Sequence, residues 1–179
     1  IRQCGEAGIL GVVVLSAGFR EVGDEGKQLE AALLAELRRW PEMRLIGPNC
    51  LGVLSPACRL NASFARTMPN AGRVAFVSQS GALCTSVLDW SLSAGIGFSH
   101  FVSIGNALDV NFGDLIDYFA EDPATASIVL YVESITEARN FMSAARAFTH
   151  SMPIVVYKAG RFAATAPAAA AQTGAKAGV

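Results

Sequence analysis

Short apolar runs alternate with helical patterns along most of the chain. Five runs have the length of a strand and are mostly β-branched and continuous, as in strands buried on both faces of a parallel sheet. These runs are Leu10–Leu15, Val74–Ser78, Phe101–Ile104, Ile128–Val132 and Ile154–Tyr157, and a shorter strand is predicted at Arg44–Ile46. Apolar residues at helical spacing predict helices over Glu25–Trp40, Gly81–Ala94, Phe112–Ala120 and Thr136–Thr149. The alternation predicts an α/β fold with a parallel sheet and right-handed crossovers.

The pattern divides the chain into two unequal parts. From about Gly72 onward the strand-helix alternation is complete, whereas residues 1 to about 60 supply only a helix end, a strand, a helix and a short strand. The first part therefore reads as half of a Rossmann-like domain. The segment from Pro48 to Gly72 contains several turn-forming residues and shows little hydrophobic periodicity. It is therefore predicted to be an irregular connection between the two parts. For the alanine-rich segment from Phe162 to Val179, helix and loop remain equal alternatives.

Composition narrows the classes of partner. Of the 179 residues, 52% are hydrophobic, which is enough for a sizeable core. Fourteen basic and fifteen acidic residues give a net charge of -1 without a basic run, which argues against nucleic-acid binding. The most apolar stretch, Ile9–Ala17, is far shorter than the roughly 20 residues of a membrane-spanning helix.

The cysteines and the chain start favour a reduced, cytoplasmic protein. The four cysteines lack CxxC spacing, so we expect neither a zinc site, nor another metal site, nor a disulfide framework. No signal peptide is visible, and the sequence starts at Ile1 without methionine. We therefore expect a fragment of a larger cytoplasmic protein.

Two polar loops that follow predicted strands could bind an anion or a ligand. Ser78, Gln79, Ser80 and Gly81 end a buried strand and begin a helix, where free N–H groups attract anions. Ser80 could equally serve only as the helix N-cap. The loop Gly47–Gly52 contains Pro48, Asn49 and Cys50 and is either a ligand loop or an ordinary turn. No histidine lies close in sequence to activate Cys50, so a nucleophilic role is disfavoured.

Three further loops end predicted strands at the same edge. Glu133 ends Ile128–Val132 and could orient a histidine, bind a cation or simply face solvent. Lys158 and Arg161 close the last strand and could contact a phosphate or solvent. Asp109 is predicted to cap the helix that starts near Phe112. Because the carboxyl ends of parallel strands share one edge, these loops together predict one site.

Several motifs occur in a fixed order across nearly the whole chain. They are RLIGPNCLG at 44–52, VSQSGA at 77–82, SIGN at 103–106, LYVE at 130–133 and VYKAGR at 156–161. This set resembles the NDP-forming acyl-CoA synthetases and the succinyl-CoA synthetase alpha subunit. The resemblance implies that residues 1–65 form the C-terminal part of a Rossmann-type CoA-binding domain. It implies that residues 66–179 form a succinyl-CoA synthetase-like, flavodoxin-like domain truncated at its C-terminus.

The resemblance also implies roles for particular residues. Such ligases interconvert an acyl phosphate and a CoA thioester through a phosphohistidine, and an ATP-grasp partner exchanges phosphate with ATP or ADP. By position, the loop Ser78–Gly81 corresponds to the phosphate-binding loop, and Pro48, Asn49 and Cys50 lie near the thiol end of CoA. Glu133 corresponds to the acid that orients the histidine.

The phosphohistidine itself is replaced in this sequence. The family places it in a Ser-His-Thr-Gly or Gly-His-Ala-Gly loop about ten residues after the Lys-Ala-Gly-Arg strand, where this chain has Gln172. Glutamine has no ring nitrogen to accept a phosphoryl group. His100 and His150 are predicted to start a strand and end a helix elsewhere, so neither substitutes.

A narrower resemblance concerns the parent protein. The segments LNASF at 60–64, DW at 89–90, GFSHF at 97–101, LIDY at 115–118 and ARNFMSAAR at 138–146 resemble the ligase-like region of bacterial GNAT-fused protein lysine acetyltransferases. This implies a module that responds to CoA or acyl-CoA, is inactive alone, and is joined to a GNAT domain. The alternatives are the alpha-type part of an active ADP-forming acetyl-CoA synthetase, and a homo-oligomerisation domain.

Overall fold

The structure is a computed structural model, and it describes residues 1–160. Its helices are α1 Arg2–Glu6, α2 Asp24–Leu37, α3 Gly81–Ser93, α4 Phe112–Glu121 and α5 Ala138–Phe148, with a short 3-10 helix at Arg20–Val22. Its strands are β1 Gly11–Val13, β2 Arg44–Ile46, β3 Gly52–Ser55, β4 Leu60–Ser63, β5 Asn70–Ser78, β6 Gly97–Ser103, β7 Ser127–Val132 and β8 Ile154–Lys158.

The described strands form two sheets. Strands β1 and β2 pair in parallel, and the six-stranded sheet has the order β4-β3-β6-β5-β7-β8. In the larger sheet β6, β5, β7 and β8 are parallel, whereas β3 runs antiparallel to both β4 and β6. The predicted α/β fold with a mostly parallel sheet is confirmed.

The hairpin β3–β4 is the main departure from the sequence prediction. The segment from Pro48 to Gly72 was expected to be an irregular crossing, yet it adds two strands to the edge of the larger sheet. Leu54 explains the pairing, because its side chain is fully buried beside β6. The hairpin lies N-terminal to the predicted domain boundary at residue 65. That boundary remains a prediction.

Helices cover the larger sheet on both faces. On one face, α4 and α5 bury Ile116, Phe119 and Phe148 against residues of the central strands. On the other face, α3 packs against an aromatic cluster in which the Phe76 and Phe101 rings stack with centroids 4.8 Å apart. Full burial of one such side chain contributes about 1.5–3 kcal/mol. The prediction of strands buried on both faces is wrong for β1, in which Gly11 is exposed and the two valines are only half-buried. It is also wrong for β8, an edge strand among the described residues whose residues 155–157 are exposed.

The loop after β6 joins the two sheets. Asp109 was expected to cap α4, but its Oδ2 accepts hydrogen bonds from Leu45 N at 2.7 Å and Arg44 Nε at 3.0 Å. Asn111 caps α4 instead, in a capping box with Asp114. Asp109 lies two residues before the N-cap Asn111, so its side chain reaches β2 rather than the first turn of α4. Asp109 thereby fixes β2 against the larger sheet.

Candidate functional site

Gln79 joins the loops that follow β5 and β7. Its Oε1 accepts hydrogen bonds from Glu133 N at 2.7 Å and Ser134 N at 3.0 Å, and its Nε2 donates to Ser134 O at 3.0 Å. Both Gln79 and Glu133 are buried. The structure therefore brings together the two loops that the sequence placed at one sheet edge.

The start of α3 offers free backbone donors. Ser78 is fully buried, and its Oγ accepts a hydrogen bond from Ser80 N at 3.0 Å, so this side chain shapes the loop. Ser80 Oγ accepts from Leu83 N at 3.3 Å, which is the N-cap role. Among residues 1–160 the N–H groups of Gly81 and Ala82 have no hydrogen-bond partner. Such groups at a helix N-terminus can bind an anion.

A cavity of about 590 Å³ opens at this helix start, and we call it the sheet-edge cavity. Three loops form its walls: the loop after β1 at residues 15–17, the loop after β2 at residues 49–51, and the start of α3 at residues 79–82. Phe64 and Thr85 complete the lining. This volume lies within the roughly 300–1,000 Å³ of pockets that bind small molecules and cofactors.

The Asn49 loop, Gly47–Gly52, is held on several sides. Asn49 N donates to Ser16 O at 2.9 Å, and Leu51 N donates to Ser103 Oγ at 3.0 Å. Asn49 has a φ of 56°, in the left-handed region. Gly105 lies so close that a Cβ there would collide with the Asn49 carbonyl oxygen. The loop after β6 therefore fixes the backbone of the cavity wall.

Asn106 is the centre of a buried polar network that sequence reasoning missed. Its Nδ2 donates to Glu21 Oε2 at 2.9 Å and Glu30 Oε2 at 2.8 Å, and its Oδ1 accepts from Asn49 Nδ2 at 3.3 Å. Arg20 pairs with Glu30 at 3.3 Å and also donates to Asn106 O. The sequence analysis contained Asn106 only as part of the SIGN motif and gave it no role, because its acidic partners are more than seventy residues away.

Glu21 connects this network to the loop after β1. Its Oε1 accepts from Gly18 N at 2.6 Å and Phe19 N at 3.0 Å. Burial alone would raise the pKa of the Glu21 carboxyl, but hydrogen bonds from Asn106 and from the backbone hold the pKa below its ordinary value. Glu21 is thus an ionised acceptor that fixes two walls of the cavity relative to each other.

The predicted cations and acids at the last strands have mixed outcomes. Lys158 Nζ donates to Glu133 O at 2.9 Å and Ala159 O at 2.6 Å, so it ties neighbouring loops together. Glu133 is 5% exposed, which does not fit a solvated loop acid. Arg161 and Gln172 lie outside the described residues.

The thiols near the site are not activated, and no histidine lines the sheet-edge cavity within residues 1–160. Burial raises the pKa of Cys50 to about 11, and the thiol donates to Val14 O at 3.4 Å. Burial likewise raises the pKa of Cys84 to about 12. His100 lies inside β6 rather than at its start, and it packs on Phe119 of α4, with ring centroids 5.2 Å apart. A cysteine nucleophile at neutral pH is therefore not supported.

Residues 1–160 contain neither a candidate metal centre nor a helix that could span a membrane. No group of three or more histidine, cysteine, aspartate or glutamate side chains in this range could hold a metal ion. Within the same range, every helix is too short or too polar to cross a membrane.

Comparison with known proteins identifies relatives over nearly the whole chain. It is 42% identical to an ADP-forming acetate–CoA ligase of Archaeoglobus fulgidus over 99% of this chain and 26% of that protein. It is 43% identical to the alpha subunit of an ADP-forming acetate–CoA ligase of Pyrococcus furiosus over 98% of this chain and 38% of that protein. The chain thus spans about a quarter to two fifths of the length of these relatives.

A solved structure gives the same result. The dinucleotide forming acetyl-coenzyme A synthetase 1 of Ca. Korarchaeum cryptofilum, in complex with phosphate and ADP, superposes with a TM-score of 0.91 at 41% identity. The superposition covers 98% of this chain and 38% of that one. Residues 71–179 match the model of the succinyl-CoA ligase like flavodoxin domain. The chain belongs to the succinyl-CoA ligase-like flavodoxin domain family and corresponds to the alpha-type region of ADP-forming acetyl-CoA synthetases.

Proposed function

We propose that this chain is a CoA- or acyl-CoA-binding module of an acyl-CoA synthetase-like protein, and that it does not relay phosphate through a histidine. The observation that carries the proposal is the sheet-edge cavity, where the Asn49 loop faces the free N–H groups at the start of α3. The sequence adds that Gln172 stands where the family has its histidine.

The cavity residues fit a CoA thioester. Leu15 and Phe64 give part of the wall an apolar surface, which suits the aliphatic arm that carries the thiol. The N–H groups of Gly81 and Ala82 and the positive end of the α3 dipole suit a thioester carbonyl or a phosphoryl oxygen. When bound, CoA would supply the thiol that carries the acyl group. Asn49, positioned by Asn106, would orient the thiol end.

The buried Glu133 supports a phosphoryl-binding ancestry for the site. A carboxylate beside a phosphoryl-transfer loop fixes the tautomer of a histidine and stabilises its charge. Here the Gln79 hydrogen bonds place the Glu133 backbone next to the start of α3. This chain has glutamine at position 172, where the family has its histidine. Phosphate exchanged with ATP or ADP on an ATP-grasp domain would therefore stop before this module.

Labelling separates this proposal from an active synthetase. The full-length protein would be incubated with ATP labelled in its transferable phosphates, and the label would be tested for acid lability. We expect no acid-labile label on the natural protein. Acid-labile label on a histidine would overturn the proposal. The variant Gln172→His tests the same position, because label appearing only in that variant would show that the remaining machinery is intact.

The second candidate is the alpha-type part of a working ADP-forming acetyl-CoA synthetase. Identities of 42% and 43% to acetate–CoA ligases favour it. It predicts that the full-length protein forms acetyl-CoA from acetate, CoA and ATP with release of ADP, whereas our proposal predicts no turnover. Coupled detection of ADP in the presence and absence of CoA distinguishes the two.

CoA binding itself is tested by one backbone donor. Proline is tolerated at the first helical position, and Ser80 has an extended backbone that permits a following proline, so Gly81→Pro removes one N–H group with little cost to α3. We expect the affinity of the full-length protein for acetyl-CoA, measured by calorimetry, to fall about fivefold or more, since a hydrogen bond contributes about 1 kcal/mol. Unchanged affinity in a folded variant would contradict the role of α3.

The proposal extends to the larger protein of which this chain is a part. The motifs at 60–64 and 138–146 favour a protein lysine acetyltransferase in which this module accompanies a GNAT domain and an ATP-grasp domain. CoA or acyl-CoA would then be sensed here while the GNAT domain transfers the acetyl group, and copies of the protein could associate. Sequencing the remainder of the gene decides this, because an ATP-grasp domain without a GNAT domain would support a synthetase instead.

A further inference from the structure

The outward sides of α4 and α5 carry opposite charges, and together we call them the α4–α5 face. The two helices lie side by side on one face of the larger sheet. Asp117 and Glu121 are exposed on α4, which contains no lysine or arginine. Arg139 and Arg146 are exposed on α5, which contains no aspartate or glutamate. The α4–α5 face therefore has an acidic half and a basic half.

These four charged side chains are not neutralised by the described part of the chain. None of them makes an ion pair within residues 1–160. Asp114, the remaining acid of α4, differs because Arg44 lies 3.5 Å from it. The exposed charges are therefore available to a partner, and a complementary partner must offer a basic surface to α4 and an acidic surface to α5.

Two large apolar side chains lie among these charges. Tyr118 on α4 is 58% exposed, and Met142 on α5 is 54% exposed. A cavity of about 740 Å³ runs along the exposed side of α5, between Ala138 and His150. Tyrosine, methionine and arginine are residue types that are enriched in protein–protein interfaces. The composition of the α4–α5 face thus fits an interaction surface.

The two helices run in the same direction, and their contacts fix which residues lie at the same height along them. Each helix connects one parallel strand to the next, so α4 and α5 are parallel to each other. The ring centroids of Phe112 and Phe141 are 6.4 Å apart, and a Cβ on Gly113 would come within 2.6 Å of Asn140 Nδ2. The same offset along the chain places the two exposed acids of α4 at the heights of Arg146 and of the end of α5.

A second copy of this face would present the opposite charge at each height. A two-fold axis parallel to the helices lays α4 of one copy over α5 of the other and keeps the heights unchanged. Asp117 then faces Arg146 of the second copy, and Arg146 faces the second copy's Asp117. Every such pair occurs twice, as in any isologous interface.

We propose that the α4–α5 face is an interface between two copies of this chain, with α4 of each copy on α5 of the other. A purely acidic or purely basic partner would be repelled by one of the two helices, whereas a second copy complements both. Helices of ten and eleven residues offer a small area, so the association should be weak and sensitive to salt. The inference does not depend on the function proposed for the sheet-edge cavity.

Reversal of single charges tests the interface in the full-length protein. Asp117→Lys and Arg146→Glu each place like charges together in both symmetry-related pairs, and lysine and glutamate are good helix formers. We expect the dissociation constant of the dimer, measured by sedimentation velocity, to rise about tenfold or more in each variant. An equal mixture of the two variants should associate within about threefold of the natural protein, because both pairs of the mixed dimer again have opposite charges.

The matched controls change the same charges on another helix. Glu25→Lys and Arg38→Glu alter exposed residues at the start and end of α2, and we expect the dissociation constant to be unchanged in both. Circular dichroism would verify that all four variants are folded. A natural protein that stays monomeric at about 0.1 mM would refute the inference. Weakened association that mixing does not reverse would also refute it, and would indicate that a different protein or another domain covers this face.

Discussion

Replacing Gln79 by alanine tests whether one side chain holds the candidate site together. Gln79 is 8% exposed, and its amide makes three hydrogen bonds to the loop after β7, at 2.7, 3.0 and 3.0 Å. A hydrogen bond contributes about 1 kcal/mol net, so the variant should lose about 3 kcal/mol of local stability. That free energy corresponds to a factor of about one hundred in an opening equilibrium.

Hydrogen exchange measures this effect where it occurs. The amides of Glu133 and Ser134 donate to Gln79, so a peptide that contains them should exchange about one hundredfold faster in Gln79→Ala than in the natural protein. The matched control is Gln28→Ala, because Gln28 is exposed on α2, and exchange near residue 133 should then be unchanged. Gln79→Glu keeps an acceptor and loses the donor, so it should lie between the two.

Two results would contradict a specific role of Gln79 in joining the loops. An increase of less than threefold in Gln79→Ala would mean that solvent or another side chain replaces the amide, and Gln79 would then not hold the loops. Faster exchange throughout the larger sheet, with no local excess at residues 133 and 134, would mean that the variant is globally destabilised. Either result would contradict the view that Gln79 is a specific bridge at the sheet edge.

Three further predictions concern a glycine, the thiols and a histidine. Gly105→Ala should lower both the melting temperature and the affinity for acetyl-CoA, because the new Cβ would collide with the Asn49 loop. The control is Gly95→Ala, which also has a positive φ but has open space around it. This variant should lower the free energy of unfolding by only about 1–2 kcal/mol and leave acetyl-CoA binding unchanged. Iodoacetamide at pH 8 should modify the exposed Cys58 and spare Cys50, whose pKa is about 11, as read by mass spectrometry; modification of Cys50 in the folded protein would contradict its burial. Burial lowers the pKa of His100 in the folded state, so the unfolded state takes up a proton first as the pH falls. The free energy of unfolding should therefore decrease below about pH 6.5. The melting temperatures at pH 7.5 and 5.5 should differ less in His100→Asn than in the natural protein, and an unchanged difference would contradict the role of His100.

The sequence pattern predicts the position of the candidate site but not the hairpin beside it. The strand ends carry polar residues, and parallel strands bring their carboxyl ends to one edge, so the meeting of the Gln79 and Glu133 loops follows from the sequence. The hairpin β3–β4 does not follow from it, because its strands are only four residues each and contain few β-branched residues. The exposed edge of β6 stabilises them through tertiary pairing.

By itself, the sequence determined the alternation of strands and helices outside the hairpin β3–β4, the class of fold and the motifs that place the chain in its family. These properties depend on neighbours along the chain, through periodicity, helix caps and turn formers. The tertiary structure alone decided the partners of Asn106, the contact of Asp109 with β2 in place of a cap on α4, and the pairing of β3 with β6. Those features join residues far apart in the chain, and hydrogen bonding across such a separation leaves no periodic signal in one sequence.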